Sequence, residues 1–310
     1  MNTRSLLNMS SNKPVITLLD GGMGQELVKR SGQEITPLWS TQVMIDEPDM
    51  VRDLHLDFIR AGARVISLNA YTMTPERLAR DGQIEAFEKL QLAAVNAATS
   101  ARNMAGIAGV KIAGCLPPLV ASYRAEVAPE YEAMLASYRQ IVAIQAPHVD
   151  LFLCETMASV AEAKAALMAA KESGLAVWVS LTIEDNDQGV LRSGEALKDA
   201  LAMLDEFGAD AKLLNCSKPE TILAAWETMQ SHLGLTGAYA NGFTSVHSLR
   251  PGGTVKSLES RLDLNPAAYA EFALQWANQG AGVIGGCCEV GPAHIQAIAL
   301  KLTQQGYAVE

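Results

Sequence analysis

The sequence is constrained most by an alternation, repeated eight times, of short apolar runs with longer alanine-rich segments. The runs are almost continuous in apolar residues, and several are rich in β-branched side chains. Such runs are typical of strands that are buried on both faces. Eight β-strands are therefore predicted, over residues 15–20, 64–69, 110–115, 150–155, 176–182, 211–216, 237–241 and 282–287.

The segments between the runs carry the signals of amphipathic helices. Several open with proline, which is favoured in the first helical turn, and others end at glycine, which is favoured after the last turn. Eight helices are predicted, over residues 48–61, 84–105, 129–145, 159–172, 195–207, 219–232, 266–278 and 292–304.

This alternation predicts the fold class. Strands and helices that follow in turn indicate parallel strands with crossover helices, that is, an α/β protein. Eight such units favour a closed (β/α)8 barrel, or TIM barrel, which commonly fills about 250 residues. A doubly wound open sheet is the alternative, but the Gly-Gly-Met-Gly at 21–24 lacks the G-x-G-x-x-G spacing of a dinucleotide-binding turn.

A single barrel domain is expected over residues 1–310, with a short flexible N-terminal segment at 1–13. No linker or low-complexity tract interrupts the sequence. The spacer at 242–264 is long and rich in glycine and serine. It is expected to lie over the barrel mouth as a functional loop.

Charge and hydropathy exclude several kinds of partner. The formal net charge is −10, so a basic surface for nucleic acid is not expected. No uncharged apolar run reaches the length of about 18 residues that a membrane span needs. Residues 1–11 are polar and do not form an export signal, so a cytoplasmic protein with reduced thiols is expected. No heptad repeat indicates an oligomeric state.

The five cysteines are too few, and odd in number, for a disulfide scaffold. Cys216, Cys287 and Cys288 fall at predicted strand ends, as do Asp20 and Glu155. Active sites of barrels lie at the C-terminal ends of the strands, so these side chains are expected to converge. Catalytic zinc accepts three protein ligands and keeps a fourth position open. A zinc site of the three cysteines is therefore predicted, with one packed and one exposed thiol at the adjacent pair as the alternative.

Adjacent cysteines cannot both face inward on a regular strand, because successive side chains alternate. The Gly285–Gly286 pair directly precedes them and is predicted to let the strand end bend into a loop. Three thiolates around a divalent ion would form an anionic centre. Such a centre activates water poorly, but it can keep a substrate thiolate nucleophilic.

These residues resemble the homocysteine S-methyltransferase family, from residue 15 to residue 302. The resemblance rests on Asp-Gly-Gly-Met-Gly-Gln-Glu-Leu at 20–27, Asn-Ala-Tyr-Thr-Met-Thr-Pro at 69–75, Glu-Thr at 155–156, Asn-Cys-Ser at 215–217 and Gly-Gly-Cys-Cys at 285–288. The Gly-Gly-Cys-Cys with a distant Asn-Cys is its specific part. The sequence departs from the usual family pattern at Gln25 and at Glu289.

The resemblance implies a zinc-dependent barrel enzyme that methylates homocysteine to methionine. It implies that Cys216, Cys287 and Cys288 hold the zinc. It also implies that Asp20 and Glu155 recognise the amino end of homocysteine.

Four further residues are expected to bind substrate or to support the site. Backbone at Gly21 and Gly22 is expected to position the amino acid. Asn215 is expected to support the loop that carries the neighbouring cysteine, and Tyr71 is expected to face the methyl donor.

The donor is expected to be a small onium cation, because a cation is attracted to an anionic centre and to aromatic faces. Tyr71, Trp39 and Tyr239 are candidates for those faces, with packing as the alternative role. S-methylmethionine or S-adenosylmethionine is favoured, and betaine is the alternative donor. The alternative of another class is a zinc- or thiol-binding scaffold without catalysis. A zinc deaminase is not favoured, because the sequence lacks its His-x-Glu and Pro-Cys-x-x-Cys motifs.

The remaining polar residues are expected to be structural. Cys115 and Cys154 are interpreted as core thiols, and the five histidines show no metal-ligand spacing. Asp185, Asp187 and Arg192, which follow the fifth predicted strand, are interpreted as part of a solvated loop.

Overall fold

The computed structural model describes residues 13–34, 36–186, 189–232 and 234–310. Apart from Lys13, the predicted flexible segment 1–13 lies outside the described residues and stays a prediction. The strands are β1 (Val15–Leu18), β2 (Val65–Ser67), β3 (Lys111–Leu116), β4 (Leu151–Met157), β5 (Ala176–Leu181), β6 (Ala211–Asn215), β7 (Leu235–Tyr239), β8 (Val283–Ile284) and β9 (Ala308–Val309).

Helices follow the strands in the described residues. They are α1 (Met23–Ser31), α2 (Ser40–Asp46), α3 (Pro48–Ala61), α4 (Pro75–Arg80), α5 (Phe87–Ala105), α6 (Tyr131–Gln145), α7 (Val160–Lys171), α8 (Leu197–Glu206), α9 (Pro219–Ala224), α10 (Trp226–Gln230), α11 (Pro266–Asn278) and α12 (Pro292–Gln304). No helix in this part of the chain has the length and apolar character needed to cross a membrane.

The strands form one parallel sheet in which β1 to β8 follow each other in chain order. A parallel bridge between Leu19 and Val65 joins the first strand to the second, so the sheet closes on itself. The predicted eight-stranded α/β barrel is confirmed. The short strand β9 was not predicted, and it pairs with the outer end of β1 through Val15 and Ala308.

Side chains of alternate strand residues fill two separate cores, as a pleated strand requires. One parity points to the helices and forms the large outer core. The other parity fills the barrel, with Trp178 as its largest member. The interior cluster comprises Leu19, Val65, Ala113, Leu151, Leu153, Trp178, Ala211, Leu213, Tyr239 and Val283. The described interior of the barrel is therefore packed below the mouth at which the strands terminate.

Helix prediction succeeded best where proline marks the first turn. The helices α3, α11 and α12 have the predicted bounds, and each begins at proline. The helix predicted over 219–232 is wrong as one element, because the chain breaks at Ala225 into α9 and α10. The helices α1, α2 and α4 were not predicted, although they lie in the loops that follow β1 and β2.

Candidate active site and metal centre

One cavity opens at the carboxyl end of the barrel, where the strand ends and three long loops meet. Its lining includes backbone, aromatic, acidic and thiol groups. The lining residues include Gly21, Gly22, Trp39, Tyr71, Arg77, Ser122, Tyr123, Glu155, Cys216, Tyr239, Cys287 and Cys288. The spacer at 242–264 contributes Leu249, Val255 and Leu258 to the lining, which agrees with its predicted place over the mouth.

The three predicted cysteine ligands lie together in this cavity. Cys216 follows β6, and Cys287 and Cys288 follow β8. Their sulfur atoms all lie within 4.8 Å of one another. Cys216 and Cys287 are joined as a disulfide, whereas Cys288 is a free thiol. The convergence is as predicted, but the expectation of reduced thiols does not hold for the joined pair in this structure.

The loop that carries the adjacent cysteines depends on glycine. β8 ends at Ile284, so the predicted strand over 282–287 is too long. A Cβ at Gly285 would lie 2.5 Å from Leu19 Cβ, and a Cβ at Gly286 would lie 2.0 Å from Val290 Cγ1. The chain therefore leaves the strand through a gap that side chains would close. This is the bend that the glycine pair predicts.

Gly21 and Gly22 line the cavity, and both pack against the cysteine loop. A Cβ on Gly21 would lie 2.0 Å from the Val290 carbonyl oxygen, and a Cβ on Gly22 would lie 2.5 Å from that of Cys287. The Gly22 N–H also donates to the Val290 carbonyl over 2.9 Å. These glycines thus support the cysteine loop, and the Gly22 amide is already used.

The two predicted acids lie near each other: Asp20 is buried, and Glu155 is partly buried and lines the cavity. Asp20 accepts the Ser67 N–H over 2.8 Å and the Ser67 hydroxyl over 3.2 Å. Burial and, to a smaller extent, the nearby Glu155 charge raise the pKa of Asp20 against the opposing hydrogen bonds from Ser67, with the net result that it lies at about 8. Burial also raises the pKa of Glu155 to about 7. Two carboxyls that resist ionisation in the free protein form a place where a cation stabilises their charged form.

Cys115 is a buried core thiol, as predicted, but it has a contact with the site that the sequence reasoning missed. Its thiol donates to Glu155 Oε1 over 3.1 Å. It shares the inward parity of Ala113 on β3, and this parity was the available signal. Cys154 lies on β4 with the opposite parity from Glu155 and packs in the outer core, as predicted.

Asn215 supports the site from behind rather than lining the cavity. Its Oδ1 accepts the Thr156 N–H over 3.0 Å and the Ser180 hydroxyl over 2.9 Å. Its Nδ2 donates to Thr156 Oγ1 over 2.8 Å. The residue therefore ties β6 to β4 and β5 immediately before Cys216. Its side chain is buried and its amide binds these neighbours, so it holds the loop in place and does not contact the cavity.

Three aromatic side chains, Trp39, Tyr71 and Tyr239, line the cavity and form what we call its aromatic wall. The rings of Trp39 and Tyr71 meet edge to face with centroids 6.3 Å apart, and the Tyr71 hydroxyl lies 2.8 Å from Ser122 Oγ. Tyr239 lines the cavity from β7. Tyr123, which was not predicted, also lines it and has a φ of 64°. The three predicted aromatic candidates thus all reach one cavity.

Gln25 connects this wall to the cysteine loop. Its Oε1 accepts the Trp39 indole N–H over 3.0 Å, and its Nε2 donates to Glu289 Oε1 over 2.6 Å. Glu289 has a φ of 66°, a backbone conformation that residues other than glycine rarely adopt. The two departures from the family pattern, Gln25 and Glu289, are therefore partners of each other.

Part of the described segment after β5 is buried, contrary to the interpretation of Asp185 and Arg192 as parts of a solvated loop. The Arg192 side chain is 1% exposed and pairs with Asp185 over 3.2 Å and with Glu184 over 3.3 Å. The Arg192 guanidinium lies 5.5 Å from the centre of the Tyr123 ring. A buried ion pair thus supports this part of the cavity wall. Asp187 lies outside the described residues.

Fold and site together define a class: a closed (β/α)8 barrel with a three-cysteine candidate metal centre beside two buried carboxyls at its mouth. Comparison with known proteins specifies that class further. The chain belongs to the homocysteine S-methyltransferase family, whose sequence profile matches residues 17–302.

Relatives agree over nearly the whole chain. A homocysteine S-methyltransferase of Escherichia coli K12 is 31% identical over 94% of this chain and 100% of its own length. Betaine–homocysteine S-methyltransferase 1 of Rattus norvegicus is 27% identical over 95% of this chain and 74% of its own. The crystal structure of the metallated form of the homocysteine methyltransferase MmuM from Escherichia coli has a TM-score of 0.78 with 27% identity, covering 94% of this chain and 97% of that one.

Proposed function

We propose that this protein transfers a methyl group from a cationic donor to the thiolate of L-homocysteine, giving methionine. The observation that carries the proposal is the convergence of three cysteine sulfurs within 4.8 Å at the barrel mouth. Family membership supports the same reaction. In the transfer, a lone pair on the homocysteine sulfur forms the new S–CH3 bond as the bond from methyl to the donor breaks. The donor leaves as a neutral thioether or amine.

Cys216, Cys287 and Cys288 would hold a zinc ion. Thiolates are ligands that zinc prefers, and three of them leave one position for a further sulfur. When bound, zinc would keep the homocysteine thiol deprotonated near neutral pH. The Cys216–Cys287 disulfide must be reduced before both sulfurs can bind metal. Thiols stay reduced in the cytoplasm, so we propose a cytoplasmic location for the metal-binding form.

Asp20 and Glu155 would receive the ammonium group of homocysteine. Asp20 is buried and Glu155 is partly buried, and each is oriented by a neighbour: Asp20 by Ser67 and Glu155 by Cys115. An ammonium ion between them would restore their ionised forms, which burial alone disfavours.

The aromatic wall would receive the donor cation. Trp39, Tyr71 and Tyr239 line the same cavity as the three cysteines, so a donor methyl group beside them would face the sulfur centre. We favour S-methylmethionine or S-adenosylmethionine as donor. Betaine is the alternative, and the rat relative named for betaine supports keeping it.

A donor panel tests this proposal. The protein is purified under reducing conditions, its zinc content is measured, and homocysteine is added with S-methylmethionine, S-adenosylmethionine or betaine labelled in the methyl group. Labelled methionine is expected from at least one donor. Bound zinc with no transfer from any donor would contradict the enzyme proposal and favour a zinc-binding scaffold.

A matched pair of variants tests the ligand assignment. Cys287→Ser is expected to lose zinc and activity together, because a hydroxyl is a poor replacement for a thiolate ligand. Cys154→Ser alters a buried thiol outside the site and is expected to keep both. Retention of zinc and activity in Cys287→Ser would remove that residue from the metal centre.

A further inference from the structure

Arg77 is a buried cation at the cavity for which the described residues supply no acidic partner. It lies on α4, is 8% exposed and lines the cavity. Its Nη2 donates to the Pro118 carbonyl over 2.9 Å, and its Nε has no hydrogen-bond partner in the part of the chain that the structure describes. A guanidinium that is removed from water without a counter-charge is costly.

Two other arginines, Arg80 and Arg192, differ from Arg77 because each forms a salt bridge with a carboxylate. Arg80, one turn further along α4, pairs with Asp81 over 2.8 Å near the surface. Arg192, which is buried like Arg77, has two carboxylates against it. Arg77 is buried and has no carboxylate in salt-bridge contact within the described residues. Its guanidinium is therefore suited to bind an anionic group of a ligand.

Arg77 lies beside the aromatic wall of the cavity. Its guanidinium is 5.4 Å from the centre of the Tyr71 ring. The cavity thus places its buried cation beside the aromatic surface that would receive the donor.

Glu162, a buried acid on α7, does not take the place of a partner. Its Oε2 accepts the Ala158 N–H over 3.1 Å and the Ser159 hydroxyl over 3.3 Å. The Arg77 charge lowers the pKa of Glu162 against the larger effect of burial, but no salt bridge joins the two side chains within the described residues. The Nε–H of Arg77, which has no partner in that part of the chain, remains available to a ligand in the cavity.

We propose that Arg77 binds the carboxylate that each of the candidate donors carries beside its onium group, and so acts as a specificity-determining residue for the donor. The aromatic wall would face the onium group while the guanidinium pairs with the carboxylate. Both charges of a zwitterionic donor would then be matched when it leaves water. This inference rests on the proposed methyl transfer, and it adds no chemical step to it.

The test compares a donor with its neutral carboxamide, since the amide removes only the negative charge. With S-methylmethionine, or betaine if the panel selects it, the wild-type kcat/KM is expected to fall roughly 10- to 100-fold on amidation, as for the loss of a charge-assisted hydrogen bond. Arg77→Met is expected to lose that factor for the acid and to leave the amide unchanged. Arg77→Lys should lie between, and Arg80→Met should behave as wild type.

Three results would overturn the inference: a wild-type protein that does not distinguish acid from amide, an Arg77→Met variant that weakens both equally, or one that raises only the KM of homocysteine. The first needs no variant and holds even if Arg77→Met fails to fold. If no donor transfers methyl, the proposed function has failed. Equilibrium binding of the acid and the amide to the same proteins then decides the role of Arg77, in the same directions.

Discussion

At the scale of single residues, His55 is a histidine in the outer core whose two ring nitrogens both lack a hydrogen-bond partner in the described residues. It lies on α3 with no exposed surface. Burial lowers its pKa from 6.5 to about 3. The unfolded chain therefore binds a proton below pH 6.5 that the folded protein refuses, and stability is lost as the pH falls through this window.

Replacing His55 by leucine is expected to remove this pH dependence. Between pH 6.5 and pH 5, wild-type protein should lose about 2 kcal/mol of unfolding free energy relative to His55→Leu. Urea unfolding at both pH values measures the difference, and the exposed His148→Leu serves as the control. Parallel pH profiles for wild type and His55→Leu would contradict a neutral buried histidine.

The two buried acids make a separate prediction at this scale. Because burial holds the pKa of Asp20 at about 8 and that of Glu155 at about 7, both are partly protonated at pH 7. Binding of an ammonium group favours their ionised forms, so ligand binding should release about one proton. L-methionine is a suitable ligand, because it carries the ammonium group without a thiol that would itself titrate.

Calorimetry in buffers of different ionisation enthalpy measures this proton release. Glu155→Gln should release fewer protons than wild type, because only Asp20 then titrates. If methionine binds with no proton released from wild type, the acids do not receive its ammonium group.

At the scale of elements, Gln25 on α1 joins α2 and the cysteine loop through Trp39 and Glu289. Gln25→Ala removes both hydrogen bonds and frees the indole ring at the cavity. We expect the donor KM to rise about three- to tenfold, as for the loss of one or two ordinary hydrogen bonds, while the KM of homocysteine stays unchanged.

Glu289→Gln is the conservative partner variant, because its amide oxygen can still accept from Gln25. Its donor KM should stay close to the wild-type value. Zinc content should be unchanged in both variants. If Glu289→Gln raises the donor KM as much as Gln25→Ala does, the carboxylate charge of Glu289, and not the position of Trp39, controls donor binding.

At the scale of the whole molecule, metal binding should couple to stability through the closure of the barrel. The three sulfurs belong to loops after β6 and β8, so one ion would clamp distant parts of the chain. In reduced protein, zinc at 100 times its Kd should add about 2.7 kcal/mol of stability. That corresponds to a rise in Tm of about 5 °C for a domain of this size.

Differential scanning calorimetry with zinc and with a chelator measures this rise. Cys288→Ser should abolish it, whereas Cys154→Ser should keep it. A shift of the same size in Cys288→Ser would place the stabilising metal elsewhere.

Much of the fold is readable in the sequence because the signals are local. Apolar runs mark the barrel strands, and proline marks the first turn of α3, α11 and α12. The end of β8 before Gly285 follows from the glycine pair itself. The break at Ala225 carries no comparable signal, because no glycine or proline stands between Pro219 and Gln230.

The sequence by itself determined the number of barrel strands and which chemical groups stand at their ends. A closed parallel barrel brings all strand ends to one mouth, so Cys216, Cys287 and Cys288 had to meet. Only the tertiary structure decided how those groups are paired and buried: Cys115 against Glu155, Gln25 between Trp39 and Glu289, and Arg77 with an Nε that has no partner in the described residues. The reason is physical. Strand and helix periodicity act over a few residues, whereas a side chain's partners and exposure depend on loops that are distant in sequence and packed together only after the barrel has closed.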